Sequence, residues 1–216
     1  MKKIITLLTA LFALVSFNAL AIGFNVGGQL TTAYFETSGF ENEAGEVSET
    51  KTGAAMGSYG SIFGEIQMDR FRVGVSYVPG ALETETAEQI RQDQKDGAAN
   101  AAKTNKIKAT LEDYTTAYVA VDITDHLYIK AGIITLDLIT NENLETGSAY
   151  GNTDLDGNTF GAGYQTTLDN GIFIRGEFML TEIGGTSLTS TSNSDNKVTI
   201  NDVNGANASI QIGKAF

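Results

Sequence analysis

Apolar and polar residues alternate with a period of two along most of the chain beyond residue 22. In residues 23–35, for example, Phe24, Val26 and Leu30 fall on one face and Gln29 on the other. Side chains of a β-strand point to opposite faces in turn, so this period predicts strands with one apolar and one polar face. Eight segments show the pattern: residues 23–35, 55–68, 71–77, 111–123, 127–138, 158–168, 172–180 and 205–216.

The connections between these segments alternate between long and short. Asp169-Asn170-Gly171 is the strongest hairpin signal in the chain, and it forms one of the short connections. An even number of strands, with both termini on the short-turn side, predicts an all-β fold, an eight-stranded antiparallel up-and-down β-barrel. Three short turns are predicted at residues 68–70, 124–126 and 169–171, and four long polar loops at residues 36–51, 82–106, 140–157 and 181–204.

Two segments carry further local predictions. Residues 82–106 contain Thr86 and Gln89 at capping-box spacing but almost no large apolar side chains, so we predict a mobile, partly helical loop. Along residues 127–138 the apolar positions change parity after Ile133, which predicts a β-bulge there. The residues on the changed parity are Ile134, Leu136 and Leu138.

The first residues of the chain have the three-part layout of a secretory signal peptide. Lys2 and Lys3 give a basic start, residues 4–17 are apolar, and Ala19-Leu20-Ala21 is a small-x-small cleavage site. A membrane anchor is the alternative, but the apolar run is shorter than the roughly 20 residues that cross a bilayer. We therefore predict a signal peptide at residues 1–21, cleaved after Ala21, and a barrel domain at residues 22–216.

The last strand ends on an aromatic residue at the very end of the chain. Ile210, Ile212 and Phe216 share its apolar face, and Lys214 is the one polar exception. This ending resembles the closing strand of bacterial outer-membrane β-barrels, which typically finish with Phe. The resemblance implies that these three apolar residues form an assembly signal recognised by the barrel-assembly machinery.

As a whole, the mature chain resembles small eight-stranded outer-membrane barrels of the OmpA and OmpX type. Residues 75–85 (VSYVPGALETE) and 141–157 (NENLETGSAYGNTDLDG) are also similar to a group of small barrels from marine Gram-negative bacteria. The resemblance implies a transmembrane barrel in the bacterial outer membrane, in contact with outer-membrane lipid, with long loops outside and short turns in the periplasm. A soluble periplasmic lipocalin-like binding barrel is the alternative, and it requires the apolar face to point inward.

Charged residues also follow the alternation, always opposite the apolar face. If the apolar face points outward, three acids and three bases point into the lumen. The interior of an eight-stranded barrel is narrow enough for side chains to fill it. Such a balanced cluster predicts a plug, and hence a structural or surface-interaction barrel with acidic loops outside. A narrow channel or small-solute carrier is the alternative. The six residues are Glu65, Arg72, Asp122, Lys130, Arg175 and Glu177.

Composition limits the remaining chemistry. The formal net charge is −12, or −14 without Lys2 and Lys3, which argues against nucleic-acid binding. There is no cysteine, no GxSxG motif and a single histidine, His126, in a predicted periplasmic turn. We therefore predict neither an enzyme nor a cofactor.

One stretch has the opening pattern of a calcium-binding loop. Asn152, Asp154 and Asp156 alternate and Gly157 follows, as in the first half of an EF-hand loop. The twelfth position is Gly163 instead of a bidentate glutamate. The sequence therefore predicts an Asx-rich turn before a strand and no metal site.

Overall fold

The described part of the chain is built of β-strands. The structure, a computed structural model, describes residues 22–43, 46–47, 50–83, 87–91, 103–143, 149–191 and 194–216. Within these ranges no helix has the length and apolar character needed to cross a membrane. The predicted signal peptide lies outside the described residues and stays a prediction.

Eight strands close into a ring in which each pairs antiparallel with its neighbours in sequence, and the last pairs with the first. The predicted eight-stranded antiparallel barrel is therefore confirmed. The strands are β1 (Ile22–Glu43), β2 (Lys51–Met68), β3 (Phe71–Tyr77), β4 (Lys103–Asp122), β5 (Leu127–Asn143), β6 (Thr153–Thr167), β7 (Ile172–Ile183) and β8 (Val203–Ala215). Shorter strands at Glu46–Val47, Leu82–Glu83, Ala87–Arg91, Thr186–Thr189 and Lys197–Ile200 extend the sheet.

The short turns lie at one end of the barrel, where the sequence predicts them. Asp69 and Gly171 have φ angles of +52° and +80°, in the left-handed region that tight turns require. At the same end the backbones of Phe24 and Phe216 exchange hydrogen bonds of 3.2 and 2.8 Å. The final residue therefore takes part in closing the ring.

Large apolar side chains cover the outside of the barrel, and many polar and charged side chains are buried inside it. In β7 buried and exposed residues alternate without exception, with Arg175 inside and Phe178 outside. Along β1 the outward apolar residues end at Tyr34, and Glu36 follows. This arrangement matches an outer-membrane barrel with an apolar belt and is opposite to that of a lipocalin.

The strands run further into the long connections than the sequence predicts. Residues 36–43 continue β1 and β2 begins at Lys51, so most of the predicted loop at residues 36–51 is sheet. Similarly, Thr186–Thr189 and Lys197–Ile200 form a hairpin beside β1 within the predicted loop at residues 181–204. Beyond the apolar belt a strand has water on both faces, so its pairing continues without the apolar alternation on which the prediction depended.

The prediction of partial helix in residues 82–106 is wrong for the described part of that segment. Ala87–Arg91 is a strand that pairs with the beginning of β4. Pairing with β4 satisfies its backbone groups, whereas a helix there would have almost no apolar face to bury. Thr86 and residues 92–102 lie outside the described residues.

The predicted bulge after Ile133 is also wrong, because β5 pairs with β6 in unbroken register from Leu127 to Leu138. The register shift lies in the neighbouring strand β4, between Glu112 and Thr115. The change of parity in β5 has a different cause. Before Ile133 the inward residues of β5 are Tyr128, Lys130 and Gly132, so the large aliphatic residues lie outward. After Ile133 the inward residues are aliphatic: Ile134, Leu136 and Leu138.

Candidate functional site

The six charged residues singled out from the sequence all point into the lumen, in the half nearer the short turns. Five of them are almost completely buried, and the sixth, Asp122, keeps 13% of its side-chain surface exposed. They come from five different strands, so they meet only because the barrel closes. The buried five are Glu65, Arg72, Lys130, Arg175 and Glu177. We call the six together the charge layer.

Glu65 is the centre of one half of the charge layer. Its carboxylate accepts hydrogen bonds from Nη1 of Arg175 at 2.9 Å, from the Tyr118 hydroxyl at 3.0 Å and from Nδ2 of Asn25 at 3.1 Å. Nη1 of Arg72 lies 4.0 Å away. A buried carboxylate is tolerated when its oxygens are paired and hydrogen-bonded, as they are here.

Glu177 is the centre of the other half. Nζ of Lys130 lies 2.9 and 3.1 Å from its two oxygens, and the Tyr128 hydroxyl donates to it at 2.7 Å. Arg72, which belongs to the half around Glu65, makes its closest ion pair, 2.6 Å, with Asp122 on β4. The three acids are thus matched by three bases within one layer.

Two tyrosines join the halves in a reciprocal manner. Tyr118 donates to Glu65, while its ring faces Nζ of Lys130 at 3.9 Å from the ring centroid. Tyr128 donates to Glu177, while its ring lies 4.2 Å from the Arg72 guanidinium. Each tyrosine therefore hydrogen-bonds an acid of one half and makes a cation–π contact with a base of the other.

Each of these tyrosines lies opposite a glycine of the neighbouring strand. Tyr118 pairs with Gly74, where a Cβ would be 2.7 Å from the tyrosine ring. Tyr128 pairs with Gly163, where a Cβ would be 2.3 Å from the ring. The glycines leave room for the rings to lie over the neighbouring strand. The sequence analysis missed both tyrosines, although they occupy inward positions of the alternation.

A second layer of inward side chains lies nearer the long loops, and it is apolar. Ile134, Leu136, Val78, Tyr114 and Ile183 are at most 7% exposed and pack together. This apolar layer was not predicted, because its β5 residues were assigned to a bulge. Further apolar side chains pack against its rim: Phe35, Tyr59, Leu82, Leu111, Leu155 and Val203.

Polar side chains fill the space between the two layers. A cavity of about 40 Å³ remains there, bordered by Gln29, Thr116, Lys130 and Glu177 among others. This volume suits one or two water molecules and is too small for a solute.

The predicted assembly-signal residues lie on the outside of β8 and its end. Ile210, Ile212 and Phe216 are 63%, 59% and 75% exposed on the outer face of the barrel. Lys214, the polar exception, donates through Nζ to the backbone carbonyl of Asn170 in the neighbouring turn. Its charge therefore reaches the rim while its stem lies along the outer face, as is common for lysines near a membrane interface.

The residues considered for chemistry lie apart from the lumen. His126 is exposed in its turn, with Nδ1 3.1 Å from the Gln165 carbonyl and its ring stacked on Tyr164. Asp154 and Asp156 lie within β6, so the predicted Asx-rich turn is wrong at those positions. Successive residues on one face of a strand are about 7 Å apart, too far to surround one ion. The described residues contain no group of three or more His, Asp or Glu side chains able to hold a metal ion.

Solved structures of outer-membrane proteins have the same fold. The outer membrane protease OmpT from Escherichia coli has a TM-score of 0.51 at 9% sequence identity, over 92% of this chain and 99% of that one. The outer membrane protein OprG from Pseudomonas aeruginosa has a TM-score of 0.51 at 13% identity, over 91% of this chain and 97% of that one. No protein-family model and no curated protein matches the sequence. The resemblance to small outer-membrane barrels is confirmed for the fold.

Proposed function

We propose that this chain is a bacterial outer-membrane β-barrel with a structural or surface-interaction role, whose lumen does not conduct. The observation that carries the proposal is the filling of the lumen by two successive layers, one charged and one apolar. A conducting pore needs a continuous wet path, whereas the cavity between the two layers has a volume of about 40 Å³. Outside, large apolar side chains such as Phe24 and Leu180 form a belt suited to lipid.

Planar-bilayer recordings test the closed lumen. We expect no stable conductance step from the purified, heat-modifiable protein, under conditions in which a general porin gives clear steps. Stable single-channel steps would instead support the alternative, a narrow channel or small-solute carrier. Replacing Arg175 alone should not open a path, because the apolar layer remains.

Membrane placement has its own test. The folded protein should fractionate with the outer membrane and resist SDS until it is boiled, after which its gel mobility should shift. Recovery of the protein in the soluble periplasmic fraction without detergent would contradict the proposal. Sequencing of the mature N-terminus would test cleavage after Ala21. We also expect insertion of the barrel to require the barrel-assembly machinery.

We propose no catalytic role. The buried acids Glu65 and Glu177 are held by Arg175 and Lys130, which leaves neither carboxylate available to a substrate. The protease activity named for OmpT is not proposed for this chain, since the likeness extends to the fold alone. The acidic loop residues outside the belt provide the surface for interaction.

A further inference from the structure

A buried hydroxyl of the lumen lies beside the cavity between the charge layer and the apolar layer. Ser61 of β2 borders this cavity of about 40 Å³ and is 6% exposed. Within the described part of the chain no group hydrogen-bonds its Oγ. A buried hydroxyl without a hydrogen bond is destabilising, because water satisfies the same hydroxyl in the unfolded chain.

The other buried polar atoms that have no hydrogen-bond partner among the described residues lie in different surroundings. Nε and Nη1 of Arg72 belong to a guanidinium that pairs with Asp122 and lies over the Tyr128 ring. Oγ of Ser209 is buried on β8, and Ser209 does not border the cavity. Of these four atoms, only Ser61 Oγ belongs to a residue of the cavity lining.

Polar groups from several strands surround the same cavity. Lys130 of β5 and Glu177 of β7 form its boundary with the charge layer. Hydroxyl and amide side chains supply more of the polar lining: Gln29, Ser76, Thr116, Thr159, Thr181 and Asn207. A buried water molecule needs two to four polar partners, and a cavity of this volume has room for one or two such molecules. The cavity is therefore both polar enough and large enough to hold water.

The charges around the cavity favour water over an ion. Lys130 and Glu177 are the one base and the one acid of the lining, and they pair with each other at 2.9 Å. An ion of either sign would therefore be buried without a counter-charge of its own, which is costly. A neutral molecule that can both donate and accept hydrogen bonds avoids this cost, and the volume limits it to the size of water.

Buried side chains border the cavity at both ends. Val78 and Tyr114 of the apolar layer lie toward the long loops, and Lys130 and Glu177 lie toward the short turns. Ser61 is also the first residue of β2 beyond its ladder with β3, which covers Ile62–Met68. A molecule bound at Ser61 would thus connect β2 to other strands through the lumen, at the point where its direct pairing with β3 ends.

We propose that this cavity is an internal hydration site, in which one or two ordered water molecules bind between the charge layer and the apolar layer. The hydroxyl of Ser61 is one hydrogen-bonding partner of this water, and lining groups of other strands supply the remaining ones. The water satisfies Ser61 and joins β2 to the opposite side of the lumen. Ser61 is therefore a residue that stabilises the barrel through bound water.

Urea unfolding of Ser61→Ala tests the proposal by the sign of its effect. Ser209→Ala is the matched control, because each variant removes a buried serine hydroxyl and only Ser61 borders the cavity. Removal of a hydroxyl that bonds nothing should leave the urea midpoint unchanged or raise it. Since we place water on Ser61, we expect a lower midpoint for Ser61→Ala and no lowering for Ser209→Ala.

Two results of this comparison would overturn the proposal. One is a midpoint for Ser61→Ala at or above that of the unmodified protein, because Ser61 would then have no bound partner to lose. The other is a decrease of equal size in both variants, since the effect would then be independent of the cavity.

A crystal structure of the unmodified protein locates the water directly and does not depend on any variant folding. We expect an ordered water molecule about 2.5–3.0 Å from Ser61 Oγ. In Ser61→Val the larger apolar side chain should displace it. If the unmodified protein shows no ordered water at Ser61, at a resolution at which other buried waters are visible, the hydration site does not exist.

Discussion

Arg175 and Glu65 are 110 residues apart in sequence and meet inside the barrel, where Nη1 of the arginine lies 2.8 Å from one carboxylate oxygen and 2.9 Å from the other. They stand on β7 and β2, with β1 and β8 between them on one side of the ring. The pair therefore crosses the lumen and ties together strands from the two ends of the chain. Both side chains are about 2% exposed.

Loss of this pair should weaken the whole barrel. Arg175→Met leaves Glu65 buried with its main counter-charge removed, and breaking such a pair costs about 3–5 kcal/mol. We expect a lower urea midpoint for the folded barrel in detergent or vesicles. Lys51→Met is the control: Lys51 is exposed at the start of β2, where a charge contributes little.

A double substitution separates the charge from the packing. Glu65→Gln combined with Arg175→Met removes both charges, and it should cost less than the sum of the single losses, since the two groups interact directly. Equal urea midpoints for Arg175→Met and the unmodified protein would show that Arg175 does not hold the lumen together.

The glycines opposite the tyrosines give a second prediction. In Gly163→Ala the new methyl group would stand 2.3 Å from the Tyr128 ring, against a conjugated ring that cannot bend away. The ring must move, which breaks its hydrogen bond to Glu177 and its contact with Arg72. Overpacking of this kind costs about 1–3 kcal/mol, to which the lost contacts add.

Gly64→Ala is the matched control for that substitution. Gly64 is an outward glycine of β2, and a Cβ there meets no atom within 4 Å. Denaturant melts of the two variants should differ clearly, with only Gly163→Ala shifted to lower urea. If both behave alike, the flat packing of Tyr128 is not a source of stability.

The apolar layer should contribute separately from the charge layer. Leu136 is 1% exposed, and Leu136→Ala would leave a hole among Val78 and side chains of β4, β5 and β7. Large-to-small changes in such sites cost about 2–5 kcal/mol. Ile129→Ala on the same strand is the comparison, because Ile129 points outward and is 42% exposed. A smaller loss for Leu136→Ala than for Ile129→Ala would contradict a packed outer layer.

The sequence predicts the ring, its strand order and the direction of every charged lumen residue, because alternation with a period of two reports on two different media. It predicts less well where that contrast ends. Beyond Glu36 both faces of β1 are in water, so continuing strand looks like loop. In the outer half of the lumen the inward face of β5 becomes apolar while Thr135 and Asp137 lie on its outward face, so Ile134 and Leu136 look like a slip of register.

The alternation does not predict which lumen charges pair with each other. The alternation places Arg175 and Glu177 on the same face but gives no distances across the ring. The choice of Glu65 for Arg175 and of Lys130 for Glu177 depends on the stagger of strands that are far apart in sequence. The packing of Tyr118 and Tyr128 could not be predicted for the same reason. It depends on Gly74 and Gly163, which lie opposite these tyrosines only because of the strand register.

The terminal aromatic residue gives the last prediction. Phe216 closes the ring through its backbone, while its ring is 75% exposed on the outer face. Phe216→Ala keeps the backbone hydrogen bonds with Phe24, so the stability of barrels that do assemble should change little. The amount assembled should fall, because the family resemblance implies that the end of this strand is recognised during insertion. Heat-modifiable protein in outer-membrane fractions measures that amount.

Phe160→Ala is the control for this substitution, because Phe160 is an outward phenylalanine of β6 with 58% exposure and no role at the chain end. Both variants remove the same ring from the outer face of the barrel. A general loss of lipid contact would lower their assembled amounts equally. A loss specific to Phe216→Ala, with unchanged urea midpoints for both, is the result we expect. Equal amounts in all three proteins would show that the terminal aromatic is incidental to assembly.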